Sequence, residues 1–78
     1  MSRLLLLGPA REAAGVRSAE IDAETVDDVI ALATVRFGKS FAEIVAISRL
    51  WVNGVAASPG QCVGPDDEIA VVPPVSGG

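Results

Sequence analysis

The residues best suited to chemistry are the last two of the sequence, Gly77 and Gly78, because a terminal carboxylate there is carried on residues without side chains. Gly-Gly is free in both backbone dihedrals and thin enough to pass through a narrow channel. The two prolines just before it lack N–H donors, so they cannot continue a sheet, and they favour an extended chain. We therefore expect a tail over residues 73–78 that enters another protein's active site, with a frayed chain end as the alternative. Its other members are Pro73, Pro74, Val75 and Ser76.

Side chains that could catalyse a reaction are scarce. The sequence has no histidine and no tyrosine, and Cys62 is its only cysteine. No Ser–His or Cys–His pair can form, and neither can an internal disulfide or a Cys-x-x-Cys motif. We interpret Cys62 as a small, inert, half-buried residue. The chain is expected to bind no metal and no cofactor of its own and to supply no catalytic side chain.

Composition limits the chain to one small domain, since 78 residues support a single core. Half of the residues are hydrophobic, and the only aromatics are Phe37, Phe41 and Trp51, so the core must consist mainly of Leu, Val, Ile and Ala. No apolar run approaches membrane-spanning length, which predicts a soluble cytoplasmic protein with no membrane partner. The net charge of −4 argues against nucleic acid and favours a basic partner.

The first half of the chain predicts two strands and a helix. Residues 3–7 form a short apolar run that ends at Gly-Pro, residues 10–17 are interpreted as a loop, and residues 18–22 alternate like a half-exposed strand that pairs with the first. A helix is predicted over residues 26–37, with Thr25 as N-cap and Gly38 as a left-handed stop. Its buried face is predicted to comprise Val26, Val29, Ile30, Ala33 and Phe37.

The second half predicts a short helix and three strands. Ser40 and Glu43 have the spacing of a capping box, which indicates a helix that ends near residue 48. Asn53-Gly54 predicts a type I′ hairpin between strands 50–52 and 55–57. A turn over residues 64–67 then leads to a last strand over residues 69–72. The order of elements predicts an α+β domain with one sheet on one main helix.

Both faces of the predicted sheet are apolar. Consecutive residues of a strand point to opposite faces, and residues 4–7 of the first strand and 69–72 of the last strand are all apolar. One helix, however, can cover only one face. We expect Leu4, Leu6, Ile69 and Val71 to face the helix. The opposite face should carry Leu5, Leu7, Ala70 and Val72 as an interface, unless the short helix and the Asn53 hairpin fold over it.

The end of the sequence is similar to that of a known family. Residues 67–78 read Asp-Glu, a four-residue apolar strand and Pro-Pro-Val-Ser-Gly-Gly, and the Arg11-Glu12-Ala-Ala-Gly15 and Thr25-Val26 segments are similar to the same family. The chain resembles the small subunit of molybdopterin synthase, a MoaD-like member of the MoaD/ThiS sulfur carriers. The resemblance implies a ubiquitin-like β-grasp domain over residues 1–72, with four to five mixed strands, and a flexible Gly-Gly tail over residues 73–78.

The resemblance also implies a chemical role for Gly78. An E1-like adenylating enzyme would activate its carboxylate with ATP, and a sulfur donor would convert the acyl adenylate to a thiocarboxylate. The large subunit of a heterotetrameric synthase would then receive the tail and transfer the sulfur to a cyclic pyranopterin. This chain would be the sulfur-donating, non-catalytic subunit. The implied partner-binding residues are Pro73, Pro74, Val75, Ser76, Gly77, Leu7 and Val72.

Three alternatives remain open at the level of sequence. The chain could carry sulfur for thiamine, cysteine or transfer RNA thiolation, it could be a ubiquitin-like modifier joined to lysine through Gly78, or it could be an interaction domain without tail chemistry. Two departures from the family pattern are expected to matter. Asp66 stands where a glycine is common, which predicts a left-handed backbone there, and the open face near the tail is aliphatic, at Leu7 and Val72, where the family is often aromatic.

Overall fold

A computed structural model describes residues 2–74, which form a five-stranded sheet with three helices. The sheet order is β2-β1-β5-β3-β4, with β1 and β5 parallel and the other neighbours antiparallel. The elements are β1 (Ser2–Leu6), α1 (Pro9–Ala14), β2 (Ser18–Ile21), α2 (Val26–Phe37), α3 (Lys39–Ala46), β3 (Arg49–Val52), β4 (Val55–Ala56) and β5 (Glu68–Val72). No helix within residues 2–74 is long and apolar enough to cross a membrane.

Helix α2 has the bounds that the sequence predicts. The Thr25 side chain accepts a hydrogen bond from the Asp28 backbone N–H at 3.1 Å, as expected of an N-cap. Val26, Val29 and Ala33 of its predicted inner face are buried, whereas Ile30 and Phe37 are only half-buried. The prediction is therefore correct for the helix and for most of its buried face.

The segment predicted as a loop over residues 10–17 contains helix α1, so that prediction is wrong. Pro9 begins the helix, where its missing N–H costs no hydrogen bond. Gly15 ends it with φ 78° and donates its N–H to the Arg11 carbonyl at 2.9 Å. Ala10 is fully buried, which explains why so short a helix is stable: it packs on the core.

The junction of α2 and α3 corrects two further expectations. Gly38 has φ 94° and ψ −170°, a region that only glycine reaches easily, and this is not the left-handed helical stop that was expected. Its N–H donates to the Thr34 carbonyl at 2.9 Å and its own carbonyl accepts from the Ala42 N–H at 3.1 Å. Gly38 thus ends α2 and also caps α3. Because α3 begins at Lys39 without a side-chain cap, the predicted capping box of Ser40 and Glu43 does not form.

The two predicted turns have different outcomes. Asn53 and Gly54 have φ of 51° and 81°, which confirms the type I′ hairpin between β3 and β4. Asn53 is the only non-glycine residue between positions 2 and 74 with positive φ, so the left-handed backbone expected at Asp66 is wrong. The 64–67 turn closes instead with the Asp67 N–H on the Gly64 carbonyl at 3.1 Å, a geometry in which Asp66 needs no positive φ.

The core lies on one face of the sheet, as expected. Leu4, Leu6, Ile69 and Val71 are each no more than 1% exposed and pack with the helices. Phe41 of α3 is fully buried in the same core, with its ring 5.2 Å from that of Phe37 in an edge-to-face contact. Because α1 and α3 contribute to this core as well, the sheet packs on three helices. The short helix therefore does not cover the other face.

Candidate partner-binding site at the root of the C-terminal segment

The predicted tail leaves the sheet from the centre of one end. Strand β5 lies between β1 and β3, with Val71 paired to Leu6 on one side and Val72 paired to Arg49 on the other. Pro73 follows as a buried residue and Pro74 as an exposed one. Gly78, Gly77, Ser76 and Val75 lie outside the described residues, so the predictions made for them remain predictions, and so does the tail boundary at residue 73.

The sheet face that carries no helix has a row of mostly apolar residues across it. The strand register aligns Ser18 of β2, Leu5 of β1, Ala70 of β5, Trp51 of β3 and Ala56 of β4. Alternation along the strands places Val72 and Arg49 on this same side, next to the root of the tail. We call this surface the open face.

Leu7 and Val72, the two residues of the domain predicted to bind a partner, are both accessible. Leu7 is 48% exposed and Val72 is half-buried, so neither belongs to the core. Because β1 and β5 are parallel and paired at Leu6 and Val71, both residues lie at the end where the tail begins. The structure therefore brings Leu7, Val72, Pro73 and Pro74 to one end of the sheet.

Trp51 was missed as a member of this surface. It is half-buried and pairs with Ala70 on one side and Ala56 on the other, so its indole lies between two small neighbours. The aliphatic residues predicted near the tail, Leu7 and Val72, are therefore joined on the open face by an aromatic residue farther along β3. The sequence contained the information needed to place it. The Asn53-Gly54 turn fixes the pairing of Val52 with Val55, and because side chains alternate along a strand, this pairing places Trp51 on the face opposite to Val52.

Three arginines surround the root of the tail. Arg11 and Arg17 line an open hollow of about 320 Å³ whose apolar part comes from Leu5, Leu6 and Leu7. Arg49 lies on β3, on the other side of β5, where it pairs with Val72. We call Arg11, Arg17 and Arg49 the basic collar.

At the other end of the sheet, a polar network joins the β3–β4 turn to the start of β5. The Asp67 carboxylate accepts hydrogen bonds from the Gly64 N–H at 2.8 Å and from the Asn53 amide at 2.9 Å. The Asn53 side-chain oxygen accepts from the Glu68 N–H at 3.0 Å, and the Asn53 backbone N–H donates to the Glu68 carbonyl at 2.9 Å. Asn53 and Asp67, with these partners, form what we call the register clamp. Its two bonds to the carboxylate, led by that from Gly64, lower the pKa of Asp67.

Cys62 is exposed, so the expectation that it is half-buried is wrong. Its backbone forms an isolated bridge with Thr25, the residue that caps α2. Among residues 2–74, no three His, Cys, Asp or Glu side chains are grouped as metal ligands.

Comparison with known proteins decides the family. A model of the ThiS family matches residues 4–78, nearly the entire chain. The chain belongs to the ThiS family. No curated protein sequence matches it significantly.

Solved structures agree with this assignment to the ThiS family. Small archaeal modifier protein 1 (SAMP1) from Haloferax volcanii has a TM-score of 0.82 at 27% identity, covering 99% of this chain and 98% of that chain. A Pyrococcus furiosus protein provisionally assigned as molybdopterin converting factor subunit 1 has a TM-score of 0.83 at 27% identity, covering 95% and 97%. SAMP1 from Methanosarcina acetivorans has a TM-score of 0.79 at 26% identity, covering 99% and 95%.

These similarities confirm the MoaD/ThiS resemblance and the ubiquitin-like β-grasp fold expected from sequence. They make this ThiS-family chain a sulfur carrier or a ubiquitin-like modifier. Members of the MoaD/ThiS family partner with a large subunit and with E1-like enzymes.

Proposed function

We propose that this ThiS-family protein carries sulfur on Gly78 for molybdenum cofactor biosynthesis, as the small subunit of a molybdopterin synthase. The main supporting observation is structural: β5 runs without interruption into Pro73-Pro74, directly beside an uncovered apolar face. A partner that docks on the open face would thereby receive the tail in a fixed direction. The similarity to the Pyrococcus furiosus protein and the Pro-Pro-Val-Ser-Gly-Gly sequence favour the molybdopterin pathway over other uses of the fold.

The proposed chemistry occurs at the carboxylate and is catalysed by partners. A carboxylate oxygen of Gly78 attacks the α-phosphate of ATP in an E1-like enzyme and releases pyrophosphate. Hydrosulfide released by a sulfur donor then attacks the acyl carbon, forms the C–S bond of the thiocarboxylate and displaces AMP, which is a far better leaving group than oxide. This chain contributes the acyl group and its position, so it needs no cofactor and no general base of its own.

The docked domain controls where the reacting carbon lies. Each extended residue moves that carbon by about 3.3 to 3.6 Å. Misplacement by even about 1 Å can cost a hundredfold in rate when a reaction depends on positioning. Tail length is therefore expected to matter more than tail packing.

The proposal is tested by measuring the mass of the protein and of its C-terminal peptide. The protein isolated from its own cell should show replacement of one carboxylate oxygen by sulfur. An attached target protein instead would favour the modifier function, and an unmodified carboxylate under every condition would contradict both. Adding a purified large subunit and a cyclic pyranopterin should yield the dithiolene product if the pathway is correct. A loaded carrier that yields none would point to thiamine, cysteine or transfer RNA thiolation.

Variants of the tail test its geometry. Deleting Gly78 should abolish sulfur loading or transfer, and Gly77→Val should do so by stiffening and widening the tail. Thermal melts should remain close to that of the parent, because residues beyond the prolines are not expected to contribute to the sheet. Full loading and transfer by the Gly78 deletion would contradict a role for this carboxylate.

The second candidate function is protein modification. Two of the three similar structures described above are SAMP1 proteins, which are named as modifiers. Here the lysine amine of a target would attack the same adenylate and release AMP, leaving an isopeptide bond to Gly78. Detecting that bond by peptide mass fingerprinting would distinguish the two functions.

A further inference from the structure

Charge is unevenly distributed between the two ends of the sheet. The basic collar lies at the end where the tail begins and comprises three of the six basic residues. The opposite end has a hollow of about 280 Å³ lined by Arg3 and by four carboxylates, those of Glu20, Asp66, Asp67 and Glu68. Asp22 and Glu24 follow β2 at this same end, where Ser2 pairs with Ile21 and the Val63 N–H donates to the Glu24 carbonyl.

The collar residues lie on both sides of the tail root. The Leu6 N–H donates to the Arg17 carbonyl at 2.9 Å, so Arg17 flanks β1 on the side away from β5. Arg49 flanks β5 on its other side. With strands about 4.8 Å apart, the backbones of Arg17 and Arg49 are separated by three spacings, or about 14 Å. The tail thus begins between them.

The third arginine strengthens one side of this arrangement. Arg11 projects from α1 into the hollow that Arg17 also lines. Glu12, the next residue, lies with Arg11 at an adjoining hollow and offsets part of the charge. Arg11, Arg17 and Arg49 are all exposed, so their guanidinium groups are available to a partner.

We propose that the basic collar binds carboxylate side chains around the mouth of the channel that receives the tail, on the E1-like activating enzyme. This inference rests on the proposed function, because it assigns a contact to that partner. A guanidinium group can donate two parallel hydrogen bonds to one carboxylate, which gives direction as well as attraction. Carboxylates are concentrated at the opposite end of the sheet. An acidic channel mouth would therefore repel that end of the domain and attract the collar. The collar would therefore orient the carrier tail-first during encounter.

The test uses two variants of equal net charge. Arg11→Gln/Arg17→Gln/Arg49→Gln removes the collar, and Arg3→Gln/Arg36→Gln/Lys39→Gln removes the other three basic residues. Each changes the net charge from −4 by −3, to −7. Association rate constants with the activating enzyme would be measured at low and at high salt. Loading rates would be measured at saturating carrier, and a thermal melt would be recorded for each variant.

The collar variant should associate at least about tenfold more slowly at low salt and lose most of the salt dependence. Its loading rate at saturation should equal that of the parent, while the control variant should associate at close to the parent rate. A third variant, Arg11→Lys/Arg17→Lys/Arg49→Lys, should restore most of the association rate because it keeps the charge. If the collar variant fails to fold, this lysine variant and Arg49→Gln alone carry the same test.

Three results would overturn the inference. Equal slowing in the collar and control variants would mean that only net charge matters. Faster association of the collar variant would mean that the partner's surface is basic. A loading rate that falls at saturation with association unchanged would mean that the arginines act on the tail's own adenylate. Failure of the proposed function gives a different result, since the parent protein itself would then not be loaded.

Discussion

At the scale of single residues, Asn53 has two structural functions. Its backbone adopts φ 51° to form the hairpin turn, and its side chain binds both Asp67 and the Glu68 N–H. The second function joins β3 to β5 at the end opposite the tail. A correct register between these strands is what aligns Val72 with Arg49 at the other end.

Asp67 makes the register clamp sensitive to acid. Because hydrogen bonds from Gly64 and Asn53 lower its pKa in the folded state, its contribution to stability is present above the usual aspartate pKa of about 3.9. That contribution should be lost as the pH falls through the lower pKa of the folded state. Asp67→Asn should therefore unfold at lower urea concentration than the parent at neutral pH, and the gap should narrow in acid.

The control for this prediction is Asp66→Asn, which removes a carboxylate from an exposed neighbour in the same turn. It should leave the urea midpoint at neutral pH close to that of the parent. A gap between parent and Asp67→Asn that stays constant down to the lowest pH would contradict the assigned role of the carboxylate.

The sequence revealed only the local half of this arrangement. Asn-Gly favours a type I′ turn wherever it occurs, so the hairpin could be predicted from two residues. The bond from Asn53 to Asp67 joins positions 14 apart in sequence, and no local preference indicates it. Asp66 failed as a left-handed position for a related reason: the 64–67 turn closes by its own backbone bond and by the Asp67 side chain.

At the scale of elements, β1 and β5 separate a core face from an open face. Ile69 is fully buried, so Ile69→Ala should lower the free energy of unfolding by about 2 to 5 kcal/mol by opening a cavity. Ile47→Ala makes the same chemical change at a residue that is 64% exposed and should cost about 0.5 kcal/mol or less. Urea denaturation of the two variants tests the assignment of faces, and equal losses would contradict it.

The longest helix was predictable from its repeating pattern, whereas the shortest helix was not. Helix α2 has three turns of apolar periodicity and a capping threonine, so its bounds followed directly. Helix α1 has six residues and too few turns to show a period, and its Pro9 and Gly15 were interpreted as loop residues rather than as a helix start and stop. Ile30 was assigned to the core by its helical spacing, but it is only half-buried. Spacing indicates the side of the helix on which a residue lies, not how completely neighbouring residues bury its side chain.

At the scale of the whole molecule, the open face is expected to bind partners chiefly through Trp51. A large aromatic between small neighbours is typical of residues that dominate binding energy. Trp51→Ala should weaken binding to the large subunit or to the activating enzyme by about 2 kcal/mol, or roughly 30-fold in Kd, with little loss of thermal stability. Leu32→Ala on the outer side of α2, at a residue that is 47% exposed, should leave Kd unchanged. Equal Kd values for the parent and Trp51→Ala would show that docking uses another surface.

Net charge does not describe how charge is distributed over the molecule. A value of −4 favours a basic partner when charge is treated as uniform. The fold instead concentrates carboxylates at the start of β5 and arginines at its end. Composition cannot reveal this separation, because it depends on which strand ends the topology brings together.

The central position of β5 also ties recognition to completion of folding. The row of residues on the open face draws Leu5 from the first strand, Ala70 from the last and Trp51 from the strand between them in sequence. A chain in which β5 has not yet joined the sheet lacks the middle of this row, since β5 follows the other described strands in sequence and lies between β1 and β3. An enzyme that recognises the open face would therefore bypass incomplete chains and use ATP only on domains whose sheet has closed.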